Sequence, residues 1–404
     1  MLRPKTVLSF EQALSLPSAT LRFAQLGWRV IKIESTPRGD GPAGDPNRYL
    51  GKQFYDEDRR AFYLAGAVGK EVMALNLATE EGRSILHRMI RELNVDVFCC
   101  NTLPVRYEKL GIDYETLKSI KSDIIWAGIS AMGPDYGNIG GYDPILQAMG
   151  AIIDLTGEPD QNGSLAGIPL CDLKAGDEVY SAVCLALAER AESGQGKRID
   201  VSMLQAISSW LINQVQLLNF EHEQNEISRC GNRHPKHIPT NVFATKNGSI
   251  YIAVGNDLQW KRLLSLPAFS ALSNEVRFTF AGRSLERDAI YRDMAEICLG
   301  YSTEDLVAEL NEAKIPSSAV NTVPQVCALD AIKNKLTTTE SPDGDILYLQ
   351  PMAVDYDGAS THLPFPHKYA EDTINILKEV AYTDKEIAAY LEQGVIAVAQ
   401  KPEI

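Results

Sequence analysis

Apolar residues along the chain fall into two recurring patterns: short β-rich runs, and longer stretches with apolar positions three and four apart. Thr6-Val7-Leu8-Ser9-Phe10 is a run of the first kind, and Val30-Ile31-Lys32-Ile33 is a second. Between them a helix is expected around Pro17, whose missing N–H costs nothing in a first turn. Ser15 is its expected cap and Gly27 its stop. Strand, helix, strand is the opening of a parallel α/β sheet. Residues 80–93 place Ile85, Leu86, Met89, Ile90 and Leu93 on one helical face, followed by a strand over 95–100. A short helix over 114–120 and a strand over 123–129 continue the alternation. An apolar helix is expected over 177–189, a strand over 199–203 and a long helix over 204–220. This alternation predicts a doubly wound sheet.

The pattern changes near Glu221, where Glu221-His222-Glu223-Gln224-Asn225-Glu226 is polar. Two β-rich runs, 240–245 and 249–254, follow, joined by Lys246-Asn247-Gly248. Asn-Gly between such runs signals a hairpin. The expected organisation is a large domain over 1–225, a smaller α+β domain over 226–325, and a return to the large domain over 326–404. The return carries a β-rich run over 347–354 and a helix from Asp384.

Composition narrows the function classes. A net charge of −14 argues against nucleic acid as a partner, and requires any anionic ligand to be held by local donors. No apolar run approaches the roughly 20 residues of a membrane helix. The start of the chain lacks the apolar core of a signal peptide, and the seven cysteines show no metal-type spacing. A cytoplasmic protein with reduced thiols is expected. Gly39-Asp40-Gly41-Pro42-Ala43-Gly44 matches GxGxxG after a strand, but Pro42 removes an amide and Asp40 repels phosphate. It reads as a surface loop. His234-Pro235-Lys236-His237 lacks further metal ligands and reads as a loop too. No metal site is expected.

The informative stretch is Gly167-Ile168-Pro169-Leu170-Cys171-Asp172-Leu173-Lys174-Ala175-Gly176. Asp172 stands just before the expected helix. There a carboxylate either caps helix amides or faces the ligand crevice of an α/β sheet.

An ordered set of landmarks surrounds that aspartate. Leu26-Gly27-Trp28-Arg29-Val30-Ile31-Lys32-Ile33-Glu34 comes first, then Arg38-Gly39-Asp40, Leu75-Asn76-Leu77 and Glu81-Gly82-Arg83. Lys109-Leu110-Gly111-Ile112-Asp113-Tyr114, Gly141-Tyr142-Asp143-Pro144 and Leu155-Thr156-Gly157-Glu158-Pro159 follow. Gly194-Gln195-Gly196-Lys197-Arg198-Ile199-Asp200-Val201-Ser202 and Arg229-Cys230-Gly231-Asn232-Arg233 close the series. In this set the chain resembles the class III CoA-transferases. The resemblance implies a Rossmann-like large domain built from both chain ends, a small domain inserted between, and two chains interlocked as a homodimer or as a heteromer with a related subunit. It implies acyl-CoA and carboxylic acid substrates, with no cofactor beyond coenzyme A itself. Asp172 would be the nucleophile, passing through an aspartyl anhydride and an aspartyl-CoA thioester. Tyr142 and Asp143 would lie near the thioester. Leu75, Asn76 and Leu77 would line the adenine pocket, and Asn101, Thr102 and Leu103 the next CoA-contacting turn. Lys109 stands where some members place an arginine near CoA phosphates.

Leu14 replaces a glutamine found in some members, and the glycine run of formyl-CoA transferase is reduced to Gly231. Both differences argue against formyl-CoA and oxalate as substrates. General similarity suggests succinyl-CoA as donor and an aromatic succinate such as benzylsuccinate as acceptor. Two alternatives share the fold. In 2-methylacyl-CoA racemases a histidine precedes the position of Asp143, whereas Tyr142 cannot act as an imidazole base. The other is the silent subunit of a heteromeric transferase, against which retention of Asp172 argues.

Overall fold

The computed structural model describes residues 3–37, 39 and 41–399, so Arg38 and Asp40 lie outside the described residues. The strands, in chain order, are β1 (Thr6–Phe10), β2 (Arg29–Glu34), β3 (Glu71–Leu75), β4 (Val97–Cys100), β5 (Ile125–Ser130) and β6 (Lys197–Ser202). Then come β7 (Thr240–Ala244), β8 (Ser249–Ala253), β9 (Ser317–Ala319), β10 (Leu336–Glu340), β11 (Ile346–Pro351) and β12 (Ile396–Ala397). The central sheet runs β12-β3-β2-β1-β4-β5-β6. Strands β1 to β6 are parallel, and only the short β12 pairs antiparallel, to β3. This is the strand order of a Rossmann-type doubly wound sheet.

The inner strands are apolar on both faces because helices cover both. β4 is buried throughout, whereas the edge strand β6 exposes Lys197 and Arg198. Ile31, Met73, Leu86, Phe98 and Trp126 share one core cluster. The unit that contains this sheet comprises residues 1–150, 167–210 and 330–404.

The other unit comprises residues 151–166 and 211–329. The segment 151–166 joins it through Arg229, which donates to Gln161 O at 2.8 Å and to Asp154 Oδ1 at 3.0 Å. Its sheet is the antiparallel β7-β8-β9, and the Asn247-Gly248 hairpin joins β7 to β8 as its sequence signals. Trp260, Phe269, Ile290 and Leu306 fill its core. Among the described residues no helix is long and apolar enough to cross a membrane.

Three local expectations need correction. Ser15 is not a cap: it is the first residue of the helix Ser15–Gln25, whose N-cap is Leu14 with no side-chain bond. The long helix over 204–220 is two helices, Met203–Ser208 and Ile212–Leu217. Ser209 ends the first by donating its hydroxyl to Ala206 O at 2.7 Å, an internal bond that competes with helix propagation. The helix expected over 177–189 is Leu170–Ser193, so Asp172 lies inside its first turn and not ahead of it.

Candidate active site

The sheet reverses its winding between β1 and β4, and the crevice beyond the carboxyl ends of those strands is where open α/β sheets take ligands. A cavity of about 430 Å³ opens there. Phe10, Glu11 and Gln12 enter it from β1, Glu34 from β2, and Asn101 and Thr102 from β4. Asn101 ties the two sides of the switch together. Its Oδ1 accepts from the Gln12 N–H at 3.1 Å, and its Nδ2 donates to Gln12 O at 2.8 Å and Ser15 Oγ at 3.3 Å.

Carboxylates line the cavity floor, yet each has a buried cation. Lys70 Nζ lies 2.8 Å from Glu11, Lys32 Nζ lies 2.6 Å from Asp45, and Arg48 holds Glu34 at 2.8 and 3.0 Å. Burial alone pushes the Glu11 and Glu34 carboxyls up. Lys70 beside Glu11, and Arg48 with Lys32 beside Glu34, outweigh it and hold both below the usual carboxylate range. Burial also presses Lys70 down to about 8 against the pull of Glu11. The floor is thus close to neutral at pH 7. Gly44 approaches so closely that a Cβ there would lie 2.8 Å from the Tyr369 ring. The GxGxxG stretch therefore ends as a packed loop, followed by the single 3-10 turn Pro46–Tyr49 in place of the α-helix a dinucleotide fingerprint opens.

Of the residues singled out by sequence, Asn101, Thr102 and Lys109 line this cavity. Leu75 and Leu77 have their side chains in the core, and the cavity wall at that segment is Ala78. Asn76 folds back locally, its Oδ1 accepting from the Ala78 N–H at 3.2 Å. Leu103 lies under the next loop, close to Gly140. Arg83 staples the two walls, donating to Leu77 O at 3.3 Å, Ala78 O at 3.2 Å and Lys109 O at 3.5 Å. Sequence reasoning did not find Glu11, Gln12, Glu34, Asp45 or Arg106 as lining residues. The signal available for the first three was their place at the ends of two predicted parallel strands.

Asp172 and Asp143 form a second grouping in the same unit, outside the lining of that cavity. Asp143 opens the helix Asp143–Met149 and is almost fully buried. Its Oδ1 accepts from the Cys171 N–H at 2.7 Å and the Asp172 N–H at 3.2 Å, and its Oδ2 from Gln147 Nε2 at 2.6 Å. The helix Leu170–Ser193 has Pro169 at its own N-cap, which cannot serve the free amides, so Asp143 caps it from a distance. The carboxylate of Asp172 itself accepts no hydrogen bond among the described residues. Burial and the negative charge of Asp143 push it up to about 6. Tyr142, next to Asp143, is 81% exposed.

Gly176, one helical turn beyond Asp172, connects this grouping to the cavity wall. It packs on the start of the helix Ser15–Gln25, where a Cβ would clash with Ser18 Oγ and lie 2.7 Å from Ser15 O. Ser15 is the residue that Asn101 touches. Gly176→Ala is expected to lower stability by about 1–3 kcal/mol despite alanine's better helix propensity, because a backbone oxygen must give way. Thermal melts of the two proteins check this.

In the second unit His234 and His237 stack at 4.4 Å between ring centroids. His234 Nδ1 is already taken by the Lys236 and His237 amides at 3.1 and 3.0 Å.

The fold and crevice define a Rossmann-type α/β protein with its ligand cavity at the sheet's switch point. The chain belongs to CoA-transferase family III, whose model matches residues 2–367. It is 29% identical over 351 residues to a succinate–glutarate CoA-transferase from Agrobacterium fabrum, covering 84% of this chain and 86% of that one. To an acetyl-CoA:oxalate CoA-transferase from Acetobacter aceti it is 33% identical, over 67% of this chain and 68% of the other. A CaiB/BaiF family protein from Brucella suis superposes with a TM-score of 0.79 at 30% identity, covering 93% of this chain and 98% of that one. This chain is therefore a CoA-transferase, an enzyme that moves coenzyme A between an acyl-CoA and an acid.

Proposed function

We propose that this enzyme transfers CoA by covalent catalysis on Asp172, with a dicarboxylic acyl-CoA such as succinyl-CoA as donor. The observation that carries the reading is the division of labour between two aspartates. Asp143 occupies the helix amides, which leaves the half-buried Asp172 carboxylate free of hydrogen bonds and more basic than an aspartate in water. A carboxylate with few hydrogen bonds is the better nucleophile, and at about 6 it is still mostly ionised at pH 7.5.

In the first step an Asp172 oxygen attacks the donor thioester carbonyl and the C–S bond breaks. An aspartyl–acyl anhydride and CoA thiolate result. The thiolate then attacks the aspartyl carbonyl, releasing the donor acid and leaving an aspartyl-CoA thioester. The acceptor carboxylate attacks that thioester carbonyl and expels the thiolate, which finally attacks the acceptor's acyl carbonyl and frees Asp172. No net proton or electron is consumed, so these steps call for no redox co-substrate and CoA serves as the carrier. The relatives named for succinate, glutarate and oxalate transfer support dicarboxylic acids as the acceptor class. Benzylsuccinate is the aromatic member of that class to test.

Leu173 and Leu185 on the helix Leu170–Ser193, with Trp210 beyond it, are exposed and support pairing with a second copy or a related chain. Light scattering of the purified chain checks the assembly.

The deciding experiment supplies succinyl-CoA or acetyl-CoA, traps with hydroxylamine, and maps the modified peptide by mass spectrometry. A hydroxamate on Asp172 is expected, with product formation from glutarate, mesaconate or benzylsuccinate in parallel. Turnover without any Asp172 adduct would remove Asp172 from the mechanism.

A further inference from the structure

Two cations on the cavity rim are left over once every floor charge has been paired. Arg106 and Lys109 both line the cavity, and neither has an ion pair or a side-chain hydrogen bond among the described residues. Their spacing is not an accident of a floppy loop. The turn Pro104–Arg106 runs directly into the helix Tyr107–Leu110, and Gly111 ends it in a left-handed conformation. Tyr107 and Leu110 are buried in the core, with the Tyr107 ring edge-on to Trp126 at 5.2 Å. Residues three apart on a helical turn share a face, so anchoring 107 and 110 turns 106 and 109 outward together. Glu108, the carboxylate between them, is not part of the cavity lining.

We infer that Arg106 is a phosphate-binding residue for the nucleotide end of coenzyme A, acting with Lys109 as a two-cation clamp; the inference rests on CoA being the ligand of this cavity. The argument is electrostatic. A chain of net charge −14 repels a polyanion at long range, so binding needs unpaired cations at short range. Glu11, Glu34 and Asp45 would repel phosphate, but each is neutralised by a buried partner 2.6–2.8 Å away. Among the described lining residues, what remains for the ligand is the charge at 106 and 109. A lysine is a point charge, whereas an arginine presents a planar fork that matches two phosphate oxygens. Arg106 thus supplies from one turn earlier the fork that Lys109 cannot.

Calorimetric titration of the full chain with CoA, 3′-dephospho-CoA and pantetheine tests this. Arg106→Ala should weaken CoA binding about tenfold, Arg106→Lys should lose less, and pantetheine binding should not change. The exposed position keeps either variant folded. Unchanged CoA affinity in Arg106→Ala, with the wild type binding CoA, would overturn the inference and leave the proposed function standing. An equal loss for pantetheine would also overturn it, since pantetheine has no phosphate to lose. A wild-type chain that binds no CoA at all would sink the proposed function itself, and the clamp with it.

Discussion

Asp172→Asn is expected to lower kcat by a factor on the order of 10³ or more, because the amide cannot form the anhydride. Substrate affinity should change little, since the same volume and the same Asp143 cap remain. The wild type should lose kcat/KM as pH falls through about 6, where burial and Asp143 have placed the carboxylate. The same substitution should make the protein more stable at neutral pH. Asp172 titrates higher folded than unfolded, so the folded state holds the extra proton between about pH 4 and 6. The cost of burying the charge is absent below that window and fully present above it. Partial exposure softens it, leaving a gain of about 1 kcal/mol for asparagine at pH 7.5 and none at pH 4. Steady-state rates and paired melts at the two pH values read both effects. An asparagine variant that turns over normally would exclude Asp172 as the nucleophile, and one that is less stable at pH 7.5 would exclude the electrostatic account.

Arg48→Met is the second large effect, and it is one of stability. Arg48 is fully buried and holds Glu34 by two bonds, Tyr63 Oη at 2.5 Å, Asp58 Oδ2 at 3.2 Å and His367 O at 3.3 Å. Removing it leaves the Glu34 carboxylate with Lys32, 3.5 Å away, as its one cation among the described residues, beside the Asp45 N–H at 3.1 Å and Tyr63 Oη at 3.3 Å. Breaking a buried pair on one side costs about 3–5 kcal/mol. Adding Glu34→Gln should recover part of that loss, because the stranded charge goes with it. In the wild type, Glu34 is held below its unfolded value, so its pairing stabilises above about pH 4.3 and is lost as pH falls through the lower folded value. Denaturant melts of the single and double variants decide the matter; no recovery in the double variant would mean that Arg48 matters for packing alone.

Much of the sheet was legible because parallel strands buried on both faces are nearly continuous apolar runs. Thr6–Phe10 matches β1 residue for residue, and the helix and strand that follow differ only at their ends. β3 went unread: Glu71-Val72-Met73-Ala74-Leu75 begins with a charge and contains helix-favouring residues. Its strand state comes from pairing with β2 on one side and β12, some 300 residues on, on the other. The start of the helix at Leu170 was hidden for a similar reason. Its cap is a carboxylate at position 143, beyond the reach of any local signal.

By itself the sequence determined the class of fold, through its periodicity, and through its resemblance to a family it pointed to that family and to the aspartate worth testing. Only the tertiary structure decided which carboxylate the helix amides hold. Asp143 and Asp172 are chemically alike, and both lie in the first turn of a helix. One accepts from amides, and the other accepts no hydrogen bond among the described residues, because of where two chain segments meet; hydrogen-bond partners distant along the chain leave no trace in local pattern.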